Sequence, residues 1–347
     1  MRAVTVYRFG GFEDAALVEV AAPVPAPGEL TISVAAAAVN HIDLVTIAGD
    51  GPVRPPLPFI PGSSAAGTIT ALGDGVTGFR VGERVLALVE TGGYAEQVVA
   101  AQNRTFRLPA AMPLVDAAAM AVAYETAWFA LLDQGQYEAG QTVLVLGASG
   151  AVGQAAVQLA KALGATVLAG IARPDRAALA RHAGADAIVD LARPGLRESL
   201  RDSLRQQVMT LTAGRGADII LDPLGGEFCD AAVRALAWRG RLVTIGFAAG
   251  PGRAVDARIL IRDNTSVSGL RAGEYRIRAP GEVSVCFAEL FAMYEAGQIA
   301  PMRVTPYPLE GFAEALRLLR DRKTTGKPIL RPQRDPEQAT PRWIAPV

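Results

Sequence analysis

One stretch constrains the fold more than any other: Val143-Leu-Val-Leu-Gly-Ala-Ser-Gly-Ala-Val-Gly-Gln-Ala-Ala-Val-Gln-Leu-Ala-Lys161. A buried-strand run, Thr142–Leu146, ends at Gly147; glycines follow at 150 and 153, and a helical pattern runs from Ala151 to Leu163. Glycine serves here because the backbone must turn tightly and let a phosphate approach closely. The helix start also leaves unpaired N–H groups at the positive end of its dipole, where a phosphate is stabilised. The spacing is G-x-x-G-x-x-G, which alone describes any tight strand-to-helix turn. The strand before it, the helix after it and a further strand at Thr166–Ala169 give it the context of a dinucleotide site. The predicted pyrophosphate contacts are Gly147, Ser149, Gly150, Ala151, Val152 and Gly153.

Alternation of strand and helix continues from there. Helix patterns at Asp175–His182, Leu196–Thr212 and Phe228–Ala237 separate strand runs at Ala187–Val189, Asp218–Leu221, Arg241–Ile245 and Ser266–Leu270. Near-continuous apolar strands in such an alternation mean a doubly wound parallel sheet of the Rossmann type, so the fold class is α/β. The first hundred residues differ. Met1–Tyr7, Leu30–Val39, Gly67–Leu72, Arg84–Val89 and Tyr94–Val99 are short strand runs at close spacing, with a proline-rich loop at 52–58. They suggest a small β-rich, barrel-like domain. An Ala-rich apolar helix, Leu114–Leu132, leads out of it. Helix patterns at Val283–Ala296 and Gly311–Arg320 and a strand at Pro328–Arg331 form a return segment. The tail beyond Pro332, punctuated by Pro336, Pro341 and Pro346, has no periodicity and reads as flexible at its end. The expected division is 1–121 with 270–347 for the β-rich domain and 122–269 for the dinucleotide domain.

The second strand selects the dinucleotide. An NAD site places an acid there, about 20 residues after the first glycine, to bond the ribose 2′-hydroxyl. In Leu168-Ala-Gly-Ile-Ala-Arg-Pro-Asp-Arg176 no acid ends the strand and two arginines follow. Arg173 or Arg176 would meet a 2′-phosphate, so NADPH is the expected cofactor. Asp175 lies between them, where it would cap a helix. Lys327 lacks the upstream glycine of a Walker motif and reads as a surface residue.

Composition narrows the function by exclusion. Basic and acidic residues number 34 each, which argues against nucleic-acid or polybasic membrane-surface partners. No signal core or long uninterrupted apolar run is present, and the expectation is a cytoplasmic chain without a membrane partner. Cys229 and Cys286 cannot build a disulfide framework, and with only two histidines no tetrahedral zinc site is expected. The basic residues comprise 31 arginines and only three lysines, so an isolated arginine carries little functional weight.

The order of parts, together with Ala38-Val-Asn-His-Ile-Asp43, Pro61-Gly-Ser-Ser-Ala-Ala-Gly67 and Gly92-Gly-Tyr-Ala-Glu96, resembles the medium-chain dehydrogenase/reductase superfamily. More narrowly, it resembles the zeta-crystallin type of NADPH:quinone oxidoreductase. The resemblance implies a Rossmann domain inserted in a GroES-like catalytic domain. In zinc-bearing relatives the metal ligands stand in register with Asn40, Ser63 and Val122, none of them a competent ligand here. It further implies cleft positions for Asn40, Asp43 and Thr126, carried as catalytic residues. Local backbone bonding is the alternative for the first two, and helix back-bonding for the third. Gly246 and Phe247, then Gly269, Leu270 and Arg271, are implied on the nicotinamide side, with Arg176 a better 2′-phosphate contact than Arg173. A pocket tyrosine of relatives is replaced by Val45 and an aromatic contact to the adenosine phosphate region by Leu191; Tyr124, Trp128 or Tyr275 could compensate. His41 is left as a phosphate contact, a general acid or a loop histidine. The expected function is metal-free hydride transfer from NADPH to a quinone or similar conjugated carbonyl, with the proton coming from solvent. The alternatives are an enone or enoyl double-bond reductase and a non-catalytic NADP(H)-binding protein. A homodimer joined through the sixth strands is also implied.

Overall fold

The computed structural model describes residues 1–51, 54–192, 196–251 and 254–333; the side chains of 196–199 and 201 also fall outside the description. The prolyl tail from 334 and Pro52 and Val53 of the expected loop therefore lie outside the described residues. The chain divides into two compact units, 1–122 with 303–347, and 123–302.

The first unit is β-rich. It contains β1 (Arg2–Thr5), β2 (Ala16–Glu19), β3 (Glu29–Ala38), α1 (His41–Ala48), β4 (Ser64–Leu72), β5 (Arg84–Leu88), β6 (Gln97–Ala101) and β7 (Thr105–Arg107) before α2 (Leu114–Trp128) begins. Strand β3 is the hub, antiparallel to both β4 and β6. Its Leu30, Ile32 and Val34 pack in a core with Val85, Val98 and Leu330. A helix at α1 was not expected, since His41 reads as loop. It forms because Asn40 and Asp43 make a capping box at its start and Gly49, at φ 78°, ends it in the left-handed region.

The second unit carries the predicted parallel sheet. Its elements are β8 (Thr142–Leu146), α3 (Ala151–Ala162), β9 (Thr166–Ile171), α4 (Ala177–His182), β10 (Ala187–Asp190), α5 (Leu196–Leu211), β11 (Ala217–Asp222), α6 (Gly226–Val233), β12 (Leu236–Thr244), α7 (Ala257–Asp263), β13 (Ser266–Gly269), α8 (Ala272–Arg278) and α9 (Pro280–Glu295). Strand order is β10-β9-β8-β11-β12-β13, every pairing parallel. This is the Rossmann order, with the sequence reversing direction between β8 and β11. The helix expected over Phe228–Ala237 stops at Val233, because β12 already starts at Leu236.

The return to the first unit falls later than the expected residue 270. Helices α8 and α9 belong with the second unit; α9 buries Val283, Cys286, Phe287, Leu290 and Phe291, and a buried ion pair ties α8 to residue 125 of the same unit. Arg276 on α8 bonds both oxygens of Glu125 on α2, at 2.9 and 2.5 Å, with the two side chains 6% and 0% exposed. Trp128 bonds Glu289 at 2.8 Å and Tyr275 packs on Phe129 with ring centroids 4.0 Å apart. The apolar stretch Leu114–Gln134 is long enough to cross a bilayer, yet most of it is buried inside the protein. After residue 302 come β14 (Val304–Pro308), α10 (Phe312–Arg320) and β15 (Lys327–Arg331), the last pairing antiparallel with β3.

Removing one member of the buried pair leaves the other charge uncompensated in low dielectric. Arg276→Met should lower unfolding free energy by about 3–5 kcal/mol in urea titrations. Pairing it with Glu125→Leu should restore most of the loss.

Candidate active site

In the first unit the site is built where β3 ends. The pairing of Ile329 with Ala38 and of Leu330 with Ala37 sets the start of β15 opposite the residues after β3. That register places Lys327 against Asn40, and the ammonium donates to Asn40 Oδ1 at 2.5 Å. The Asn40 amide nitrogen donates to Ser63 Oγ at 3.1 Å and to the Ala38 carbonyl at 3.3 Å. One carboxylate oxygen of Asp43 accepts the Asn40 backbone N–H at 2.7 Å and the Tyr94 hydroxyl at 2.8 Å. Asn40, Asp43, Ser63, Tyr94 and Lys327 are all buried.

Lys327 is thus no surface residue, as its sequence context suggested, but 5% exposed. Burial lowers its pKa to about 8, against a partial upward pull from Asp43. Burial in turn raises the Asp43 carboxyl, opposed by the Asn40 N–H, the hydroxyls of Tyr94 and Ser63 and the charge of Lys327. The Tyr94 phenol is held high by burial and by the facing carboxylate. His41 is exposed at the first position of α1; partial desolvation, then the nearby Arg322, pushes its pKa down.

In the second unit the predicted contacts gather at the C-terminal ends of the parallel strands. Gly147 turns the chain at φ 60°, and Gly150 caps α3, so the free N–H groups of Ala151, Val152 and Gly153 open the helix. A Cβ on Gly153 would lie 2.4 Å from the Gly147 carbonyl oxygen, so the helix passes as close to the turn as only glycine permits. Asp222, at the end of β11, accepts the N–H groups of Leu224 and Gly225 at 2.9 and 3.0 Å and folds the segment that packs over Gly147. These features fit a pyrophosphate. At the end of β9 no acid appears; Asp175 pairs with Arg173 at 2.8 Å instead of capping, and Arg176 is half-buried in the following turn. Gly246 and an exposed Phe247 follow β12, and Gly269 ends β13 with Leu270 bonded to Thr244 and Arg271 to Glu274.

Thr126 is half-buried on α2, beside Glu125. Tyr124 is fully buried, and its hydroxyl donates to the Ala300 carbonyl at 2.6 Å. Tyr275 is tied to Asp133 and Gln134. Sequence reasoning missed the roles of Tyr94, Asp222 and Lys327. For Lys327 a signal existed: in a chain with 31 arginines, a lysine is a departure.

A zinc ion does not fit this chemistry. Of the three positions at which the resemblance led us to look for zinc ligands, Asn40 and Ser63 bond each other, and the Val122 side chain offers only hydrocarbon. Among the described residues no three His, Cys, Asp or Glu side chains gather into a metal site.

Residues 26–110 match the model of the alcohol dehydrogenase GroES-like domain, and residues 151–287 that of the zinc-binding dehydrogenases. A quinone oxidoreductase-like protein 2 homolog from Nematostella vectensis is 30% identical over 304 residues, covering 87% of this chain and 81% of that protein. A mycobacterial quinone oxidoreductase structure superposes with a TM-score of 0.86 at 32% identity, over 96% of this chain and 100% of that one. The Escherichia coli quinone oxidoreductase complexed with NADPH gives 0.86 at 27%, with the same coverage.

Stability should report the buried ammonium. Because the folded pKa lies below the usual 10.5, the unfolded chain binds more protons between about pH 8 and 10.5. Stability contributed by Lys327 is therefore fully present above 10.5 and is lost as pH falls through about 8. The melting temperature of the native protein, relative to Lys327→Met, should rise across that window. A constant difference would show that the amine is not buried as described.

Proposed function

Because the chain belongs to the medium-chain dehydrogenase/reductase family, among its quinone oxidoreductase-like members, we propose that it is a zinc-independent, NADPH-dependent reductase of quinones or similar conjugated carbonyl compounds. The observation that carries this reading is the glycine turn at the head of α3, next to a β9 end that has arginine and no acid. NADPH, when bound, supplies the hydride.

The residues of the chain do the rest. The N–H groups of Ala151, Val152 and Gly153 hold the pyrophosphate, with Gly147, Ser149 and Gly150 shaping its approach. Arg176, seconded by Arg173, meets the 2′-phosphate. Gly246, Phe247, Gly269, Leu270 and Arg271 continue the same strand-end edge on the nicotinamide side. Asn40 and Thr126 attend the reacting groups. Asp43 acts from within, since its carboxylate is buried and committed to Asn40 and Tyr94. With no metal to polarise an alcohol, the acceptor must already be electrophilic, and catalysis rests on proximity and alignment. Solvent supplies the proton. Strand β13 stands at the edge of its sheet, which suits a homodimer joined there. A small-molecule acceptor and a cytoplasmic setting complete the proposal.

Following NADPH and NADH absorbance against a panel of quinones, enones and aldehydes tests it. Quinone-dependent oxidation should prefer NADPH and persist in chelator; a preference for enones would move the assignment to a double-bond reductase. Arg176→Ala should weaken NADPH binding about 10- to 100-fold, the worth of a charge-assisted bond, and leave NADH nearly unchanged. Strict NADH use or loss of activity to chelator would overturn the reading.

A further inference from the structure

Lys327 is a buried charge for which hydride transfer, as described above, has no task. A charged side chain there is a poor choice for stability, since a hydrophobe of similar volume is often neutral or better. It is also a choice against habit: the other two lysines, Lys161 and Lys323, are exposed, and other cations are arginines. An ammonium carries three donors, and among the described residues its hydrogen bond goes to Asn40 Oδ1. That bond fixes the carboxamide, because a flipped amide would turn its NH2 against the ammonium. With the oxygen held, the nitrogen is committed to Ser63 Oγ and the Ala38 carbonyl.

We propose that Lys327 is a positioning residue of the reduction: its ammonium fixes the Asn40 carboxamide and supplies a stationary positive charge beside it. The inference rests on the reductase reading, in which Asn40 attends hydride transfer. In that step NADPH, when bound, would give up a hydride, one proton with two electrons, and become NADP⁺, so that negative charge would develop on the acceptor oxygen until water protonates it. A preorganised cation in a water-poor surrounding favours such charge without reorganising.

Two measurements test this. The chain has three asparagines, Asn40, Asn103 and Asn264, so [15N]asparagine labelling gives three side-chain amide pairs, with Asn40 assigned by its absence in Asn40→Ser. In the native protein the Asn40 pair should be two well-separated, slowly exchanging resonances; in Lys327→Ala and in the volume-keeping Lys327→Met they should broaden or converge. Unchanged resonances in either folded variant overturn the proposal. Kinetically, Lys327→Ala should lose about 100-fold in kcat, as for removal of one preorganised donor. NADPH affinity by fluorescence should stay within about threefold, a factor worth under 1 kcal/mol. Ethylamine should restore at least about tenfold of the kcat, and n-propanol, of similar size, should not. Equal rescue by both, or a kcat within threefold of native, overturns it. A native protein that binds NADPH but reduces no acceptor overturns the reductase reading instead, and the labelled amide then decides the positioning alone.

Discussion

Pairing of the last described strand with the third holds the first unit together. The chain leaves that unit at residue 122 and re-enters it at 303, so its coherence depends on contacts made across the whole sequence. The antiparallel register of β15 on β3 supplies them. It also does something chemical, because two residues beyond the last paired alanine it brings a lysine and an asparagine face to face. The same backbone hydrogen bonds that close a sheet thereby assemble a buried polar cluster from residues 40, 43, 63, 94 and 327. A cluster of this kind is stable only when its members satisfy one another, and here the carboxylate, amide, hydroxyls and ammonium do so.

Much of the second unit was legible in the sequence, and the reason is local. A parallel strand buried on both faces must be apolar throughout, and a helix must follow it, so β8 through β11 announce themselves residue by residue. The glycine turn is also local, since its requirements are fulfilled within seven residues. Two features were not local and were misread. Helix α6 ends early because β12 begins its pairing with β11 sooner than the helical pattern suggests. Helices α8 and α9 stay with the second unit, where Arg276 finds Glu125, 151 residues away, and α9 buries an apolar face.

The first unit's half of the site was the least legible. Asn40 and Asp43 were visible as a motif, but as a strand end; that they begin a helix depends on a capping box, which the spacing permits without requiring. Lys327 was read from its immediate neighbours, and those neighbours describe an exposed turn. Its partner lies 287 residues earlier, and nothing short of the strand register joins the two. The aromatic candidates show the converse: Tyr124 looked available for a ligand, and its bond to the Ala300 carbonyl makes it part of the core. Composition, with two cysteines and two histidines in the chain, bore on the question of a metal where pattern was silent.

The discontinuity of the first unit also orders events during synthesis. A ribosome releases residues 123–302 as an unbroken run, and that parallel sheet can complete while translation proceeds. The β-rich unit cannot: β3 has no β15 until about residue 331 has emerged, and the segment before residue 122 must wait with an open edge for roughly two hundred residues of elongation. Nascent chains of this architecture expose their earliest strands longest, so a chaperone attending them has its work at the beginning of the message and not at its end.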